Sequence, residues 1–277
     1  MWTKNGTKTL PVVLKRIDEV IPSEAVNSRI LIDDHSADDT REVAKSFGWN
    51  VFFNEGTGAN SGAKTALRHI KSQHFISFEQ DVLLAENWWA CVPPLLEQNN
   101  VAVAQGVRIA DSPFSLNRLQ DYVNENYRKK TSQNPMFASG KTVDNTIYKT
   151  EIIRRIMGFP ELLLVGVAKL GYVWAVNFNV KSVHLRGGLV NEIRHQYWYG
   201  TTLDEYWQPS ELVNRWTQDT LKMMLSPIRG IEIAYKQRCL GIFYLYPSLR
   251  LASYLGWLKG IEKISRTKKK HTLEVTG

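Results

Sequence analysis

Between residues 10 and 110 short apolar runs alternate with amphipathic stretches, and this alternation constrains the fold more than any other feature of the chain. The apolar spacing of 10–21, closed by Pro22, predicts a helix. The run SRILIDD, 28–34, predicts a buried strand. Residues 36–48 open on Ser36, carry acids in the first turn and close on Gly48, which predicts a capped helix. A strand over 49–56, a helix over 61–72, a strand over 74–81, a helix over 86–99 interrupted by Pro93 and Pro94, and a strand over 101–110 follow. Strands and helices alternating at this length imply right-handed crossovers and a mostly parallel, Rossmann-type α/β sheet flanked by helices.

In such sheets ligands bind beyond the carboxyl ends of the strands. Asp33 and Asp34 end one predicted strand, and Glu79 and Asp81 end another. Alone, acids at a strand end are ordinarily solvated; two acidic ends on one rim make a candidate site. Beyond residue 111 the pattern loosens. A helix is expected over 115–130, a loop over 131–141, then a strand, a helix and a turn over 142–161. A strand pair ending in His184 is expected within 171–188, and helical, aromatic sequence from about 190. No linker rich in Gly, Ser or Pro divides the chain, so the expected organisation is a catalytic-type domain, 1–190, with a helical C-terminal extension, 191–277.

A net charge of +8 points to an anionic partner. No helix-turn-helix, zinc-finger or RNA-sheet motif supports nucleic acid as that partner. Cys91 and Cys239 suggest neither a disulfide framework nor a zinc knuckle, and fit a reducing compartment. The first ten residues lack the apolar core of a signal peptide, and no uninterrupted run of 18 apolar residues occurs. The nearest, 239–261, is broken by Pro247 and Arg250 and rich in Tyr and Trp, a composition suited to the headgroup–acyl boundary. With the basic run RTKKKH at 266–271, it leads us to expect a cytoplasmic protein bound peripherally to an anionic membrane.

Five segments together resemble family-2 glycosyltransferases, which have the nucleotide-sugar-binding GT-A fold. They are ILIDDHSADDT (30–40), NEGTGANSGAKTALRHI (54–70), FISFEQDVLL (75–84), DNTIYKTEIIRRIMGFPE (144–161) and LGYVWAVNFNVKSVH (170–184), in that order. The resemblance spans about residues 3–188 and implies transfer of a sugar from a UDP- or GDP-linked donor. It implies Mn2+ or Mg2+ held by Asp81 with Glu79, which stands where the family has its first Asp and can reach a ribose hydroxyl of the nucleotide-sugar or a metal-bound water. It implies that Asp34 faces base or ribose, with Asp33 in support. His184 either completes the metal or diphosphate site or packs as an ordinary strand-end histidine. Lys64 and Arg68 on the helix after the Gly-rich turn, and Arg186, are candidates for the diphosphate. That turn, GTGANSG, lacks the Lys-Ser/Thr ending of a P-loop. The aromatic run HQYWYG, 195–200, either walls an acceptor site or packs in a core.

Two departures from the family stand out. The family opens with a buried strand before a Thr-x-Asn turn, whereas only Met1 and Trp2 precede Thr3 here, so that strand is expected to be missing. Inverting members carry an acid pair after the Gly-Phe-Pro-Glu turn, and that carboxylate takes the acceptor hydroxyl proton. Here 162–169, LLLVGVAK, contains no acid, which leaves Glu161 as the general-base candidate. The expectation is an inverting, metal-dependent glycosyltransferase with a hydroxyl, glycan or polyprenyl-type acceptor near a membrane. A weakened member that binds nucleotide-sugar without turnover is the alternative, and a nucleic-acid-binding protein the distant one.

Overall fold

A computed structural model describes residues 1–111, 114–134, 141–160, 162–185, 188–201 and 209–275, the last with backbone only over 209–216 and 263–275. It divides into two compact units, one formed by 1–109 with 124–185 and the other by 110–123 with 186–277.

In the first unit β1 (Trp2–Thr3), β2 (Ile30–Asp33) and β3 (Asn50–Phe53) form a parallel sheet in that order. Helices α1 (Leu10–Val20) and α2 (Thr40–Ser46) connect these strands, and α3 (Gly58–His69) follows β3. A second sheet has the order β4 (His74–Ser77), β7 (Thr146–Lys149), β6 (Val101–Ala110), β8 (Val173–His184), β5 (Val82–Leu83). Its β4–β7, β6–β7 and β5–β8 pairs are antiparallel, so the parallel character belongs to the first sheet and the second is mixed. A parallel bridge from Trp2 to Glu79 joins the end of β4 to β1. Short α4 (Trp88–Cys91) precedes a 3-10 turn over Pro93–Glu97. The prolines explain the break, since neither offers an N–H to continue an α-helix.

The face of α1 bearing Leu10, Val13, Leu14 and Ile17 is buried against Leu31, Ala44, Trp49, Leu84 and Trp88. Each such side chain contributes about 1.5–3 kcal/mol by leaving water. A second core gathers Tyr148, Ile152, Ile153 and Trp174 from β7, α6 (Thr150–Arg154) and β8, with Leu163 and Val167 of α7 (Leu163–Lys169). Strand β6 separates the cores. Val101 and Ala104 belong to one, and Ala102 and Val103 to the other. Burial on both faces accounts for the apolar run Val101–Ala104 with which it opens.

Three expectations are corrected. The first strand is present rather than missing: Trp2 and Thr3 pair with Ile32 and Asp33, and Met1 C=O accepts from Ile32 N–H at 2.8 Å. Second, α2 begins at Thr40, after Asp39, and Ser36 does not cap it; its hydroxyl instead accepts from Asn5 N–H at 2.9 Å. Third, the strand pair expected in 171–188 is one twelve-residue strand, β8. The helix expected over 115–130 is α5, Phe114–Gln133, which runs into the expected loop.

The second unit contains the first part of α5 with α8 (Leu189–Thr201), α9 (Pro209–Met224), α10 (Ser226–Lys236) and α11 (Gly241–Val275). Leu116, Leu119, Ile233, Ile242 and Leu245 form its core. Helices α8 and α11 touch through glycine: a methyl on Gly256 would lie 1.9 Å from Tyr197 O, and one on Gly200 2.4 Å from Ser253 O. Only a missing Cβ permits backbones this close. Among the described residues no helix is long and apolar enough to cross a membrane.

Candidate active site

Four polar residues after β2, at positions 34, 36, 38 and 40, each bind the turn that follows β1. Asn5 N–H donates to Ser36 Oγ at 2.9 Å, and Gly6 N–H to Thr40 Oγ1 at 2.7 Å. Thr7 Oγ1 donates to Asp38 Oδ2 at 2.6 Å, and Ala37 N–H returns a bond to Asn5 Oδ1 at 2.9 Å. Backbone donors in a turn have no strand partner, so side-chain acceptors take them. Burial works against ionisation of Asp38, but hydrogen bonds from Thr40 and Thr7 outweigh it and bring its carboxyl down to about 2.

Asp34 is the buried end of this array. Lys4 Nζ lies 3.2 Å from its Oδ2, while Asn54 Nδ2 and Gly58 N–H donate to its Oδ1 at 2.7 and 3.1 Å. Burial raises its pKa, and the bonds from Asn54, Lys4 and Gly58 overcome that and hold it below the usual carboxylate range. Asp33 is fully buried, with Ser36 N–H on its Oδ2 at 3.2 Å.

The second acidic strand end is tied to the same turn. Lys4 N–H donates to Gln80 Oε1 at 2.9 Å, and Gln80 Nε2 to Lys4 C=O at 3.1 Å. Lys4 therefore joins Asp34, through its side chain, to the segment carrying Glu79 and Asp81, through its backbone. His184 reaches that segment across the β5–β8 ladder, where Val82 pairs with His184 and Leu185 N–H donates to Asp81 C=O at 2.7 Å. His184 Nε2 lies 3.0 Å from Asp81 Oδ2. Ligand atoms of Glu79, Asp81 and His184 all fall within 4.8 Å of one another. Two carboxylates and an imidazole make a donor set suited to Mn2+ and acceptable to Mg2+.

Arg108, near the end of β6, lies 3.4 Å from both Glu79 Oε2 and Asp144 Oδ1. Asp144 is buried, and its Oδ2 accepts from Asn145 Nδ2 at 3.0 Å. Burying a carboxylate is costly without a counter-charge, and Arg108 supplies one while fixing Glu79.

Of the residues expected from sequence, Glu79, Asp81 and His184 converge, and Asp34 is linked to them through Lys4 and Gln80. Lys64 is exposed on α3, whose first residue, Gly58, donates to Asp34. Arg68 is paired with Glu55. Glu161 and Arg186 lie outside the described residues. Lys4, Asn54, Gln80, Arg108 and Asp144 escaped the sequence reading. A charge within a largely apolar strand marked Arg108.

The sequence profile described as glycosyl transferase family 2 matches residues 3–156, more than half of the chain. No curated protein matches it. Among solved structures it is similar to the mannosyltransferase PcManGT from Pyrobaculum calidifontis in complex with GDP-Man and Mn2+. The two are 17% identical over 91% of this chain and 72% of that one, with a TM-score of 0.53. It is also similar to glucosyl-3-phosphoglycerate synthase from Mycobacterium tuberculosis in complex with Mn2+, UDP and glucosyl-3-phosphoglycerate. There the identity is 16%, over 66% of this chain and 69% of that one, with a TM-score of 0.47. The first similarity agrees with the described α/β architecture, and the profile match identifies the chemistry: the chain belongs to glycosyl transferase family 2, whose members are glycosyltransferases that use nucleotide-sugar donors.

Proposed function

We propose that this glycosyltransferase is a divalent-metal-dependent, inverting enzyme that moves a sugar from a UDP- or GDP-linked donor to a hydroxyl or lipid-linked acceptor at a membrane surface. The observation that carries the reading is the convergence of Glu79, Asp81 and His184 within 4.8 Å. These three would hold Mn2+ or Mg2+, and the similar mannosyltransferase PcManGT is in complex with GDP-Man and Mn2+. A bound cation offsets the charge of the departing nucleoside diphosphate.

The remaining roles fall to side chains of the chain itself. Asp34, ionised and aimed by Asn54 and Lys4, accepts N–H or O–H groups of the nucleoside, with Asp33 holding the turn behind it. Arg108 orients Glu79. Lys64 and Arg186 offer positive charge to the diphosphate. Glu161 takes the proton from the acceptor hydroxyl oxygen as that oxygen attacks the anomeric carbon, because helix α7, where the family carries its acid, has none. Residues 1–190 form the catalytic domain and 191–277 a helical extension that rests on anionic lipid. The two cysteines described are free thiols, which supports a cytoplasmic location.

The test is release of free sugar and nucleoside diphosphate from a panel of UDP- and GDP-sugars, with Mn2+ and with chelator. Turnover of one donor, lost with chelator and in Asp81→Asn, is the expected result. Metal-dependent donor binding without any turnover would favour the weakened-member reading, which the acid-free α7 supports.

A further inference from the structure

Helices α10 and α11 pack as a hairpin: a methyl on Gly230 would sit 3.2 Å from Phe243 O and from the Pro247 ring. Their inner positions, Ile233, Ala234, Cys239, Ile242 and Leu245, are buried in the core of the second unit. Their outer positions are also apolar. Tyr235 is 85% exposed, Leu240 87% and Tyr244 74%, with Ile228 and Ile231 exposed on the same helix as Tyr235. Among these lie the exposed cations Lys236 and Arg238, Arg238 at the turn in the left-handed conformation with φ 49°. Over residues 228–246 there are three cations, Arg229, Lys236 and Arg238, against one acid, Glu232.

We propose that the α10–α11 turn is a bilayer-dipping hairpin, with Tyr235, Leu240 and Tyr244 entering the headgroup–acyl boundary and Lys236 and Arg238 pairing with anionic lipid phosphates. The proposal rests on the membrane-surface reading above and names the segment that makes the contact. The side-chain chemistry selects this occupant. Tyrosine carries an apolar ring and a polar tip, and an interface with both environments suits it. A second copy docked by two-fold symmetry would place the Lys236–Arg238 cluster against its own equivalent, a like-charge contact. Nucleic acid would use the cations but leave Leu240 without an apolar partner. Among the described residues no helix is both long and apolar enough to span, so the hairpin lies in the boundary and does not cross it.

The test is co-sedimentation of the full chain with vesicles of phosphatidylcholine alone or with one quarter phosphatidylglycerol. The wild type is expected to partition at least tenfold more strongly onto the anionic vesicles, and to be released as salt rises. Tyr235→Ser/Leu240→Ser/Tyr244→Ser should lose at least tenfold on the anionic vesicles, and Lys236→Glu/Arg238→Glu should erase the difference between the two compositions. Circular dichroism and sugar-donor hydrolysis in vesicle-free buffer should match the wild type in both variants. Equal sedimentation of the serine variant and the wild type would overturn the proposal, as would absence of the wild type from anionic vesicles. A wild-type dimer that the serine variant splits would assign the surface to a second copy instead. Donor hydrolysis without vesicles reports on the enzymatic reading independently, so either reading can fail alone.

Discussion

Lys4 Nζ and Asp34 Oδ2, 3.2 Å apart, connect the turns after two adjacent parallel strands, and the backbone of the same lysine is bound to Gln80 between Glu79 and Asp81. One residue thereby couples the proposed nucleoside end of the site to its metal end. Lys4→Met is expected to raise the Asp34 pKa towards the ordinary carboxylate value, since it removes one bond to the charged form. The fold should persist, because the backbone bonds to Gln80 remain. NMR titration of the Asp34 carboxyl checks this, and an unchanged value would show that Asn54 and Gly58 suffice.

At the metal end, Asp81→Asn and His184→Ala are each expected to weaken Mn2+ binding by at least about 10- to 100-fold, the range already lost when only a ligand's supporting group is removed. Calorimetry with Mn2+ alone measures this without turnover. Equal affinity in all three proteins would move the metal away from this cluster.

The acid sensitivity of the fold should trace partly to Asp38. Its folded pKa, about 2, lies below its ordinary value of 3.8, so its contribution to stability is complete above about pH 4 and is lost as pH falls towards 2. Asp38→Asn should lower the urea midpoint at pH 7, and the gap from wild type should narrow between about pH 4 and pH 2. A gap that stays constant over that range would assign the effect to hydrogen bonding alone.

Removing Arg108 should cost more than removing it together with its buried partner. Arg108→Leu leaves Asp144 buried without its counter-charge, a loss of about 3–5 kcal/mol. Arg108→Leu/Asp144→Asn should recover a substantial part of that loss, and urea unfolding of the four proteins in this cycle gives the coupling. Additive effects would mean the guanidinium does not compensate Asp144.

In the helical unit, Gly256→Ala should force α8 and α11 apart, because the added methyl meets the backbone oxygen of Tyr197. The expected cost is about 1–3 kcal/mol. Faster amide exchange confined to α8 and α11, with the α/β unit unaffected, would locate it.

The strand–helix alternation through residue 110 was legible in the sequence because period and turn residues are local properties of the chain. So was the acidic character of the strand ends after β2 and β4, and the resemblance carried by five motifs in order. The direction of β7 was not local: an apolar strand reads the same either way, and pairing with β4 and β6 decides it. The shortness of β1 was misread as absence, because two residues carry too little pattern to register; their pairing with β2 is what makes them a strand. The site divides in the same way. The carboxylates of Glu79 and Asp81 stood out as acids at the end of an apolar run, yet His184 lies 103 positions from Asp81 and reaches it only through the β5–β8 ladder. Lys4, Gln80, Arg108 and Asp144 acquire roles from contacts 29 to 76 residues away, and no local window contains the partner that gives a charge its meaning. Sequence by itself determined which groups were available and the class of chemistry they suit. Tertiary structure decided which groups meet, because a charge–charge or metal-ligand contact depends on separation in space, which chain order does not encode.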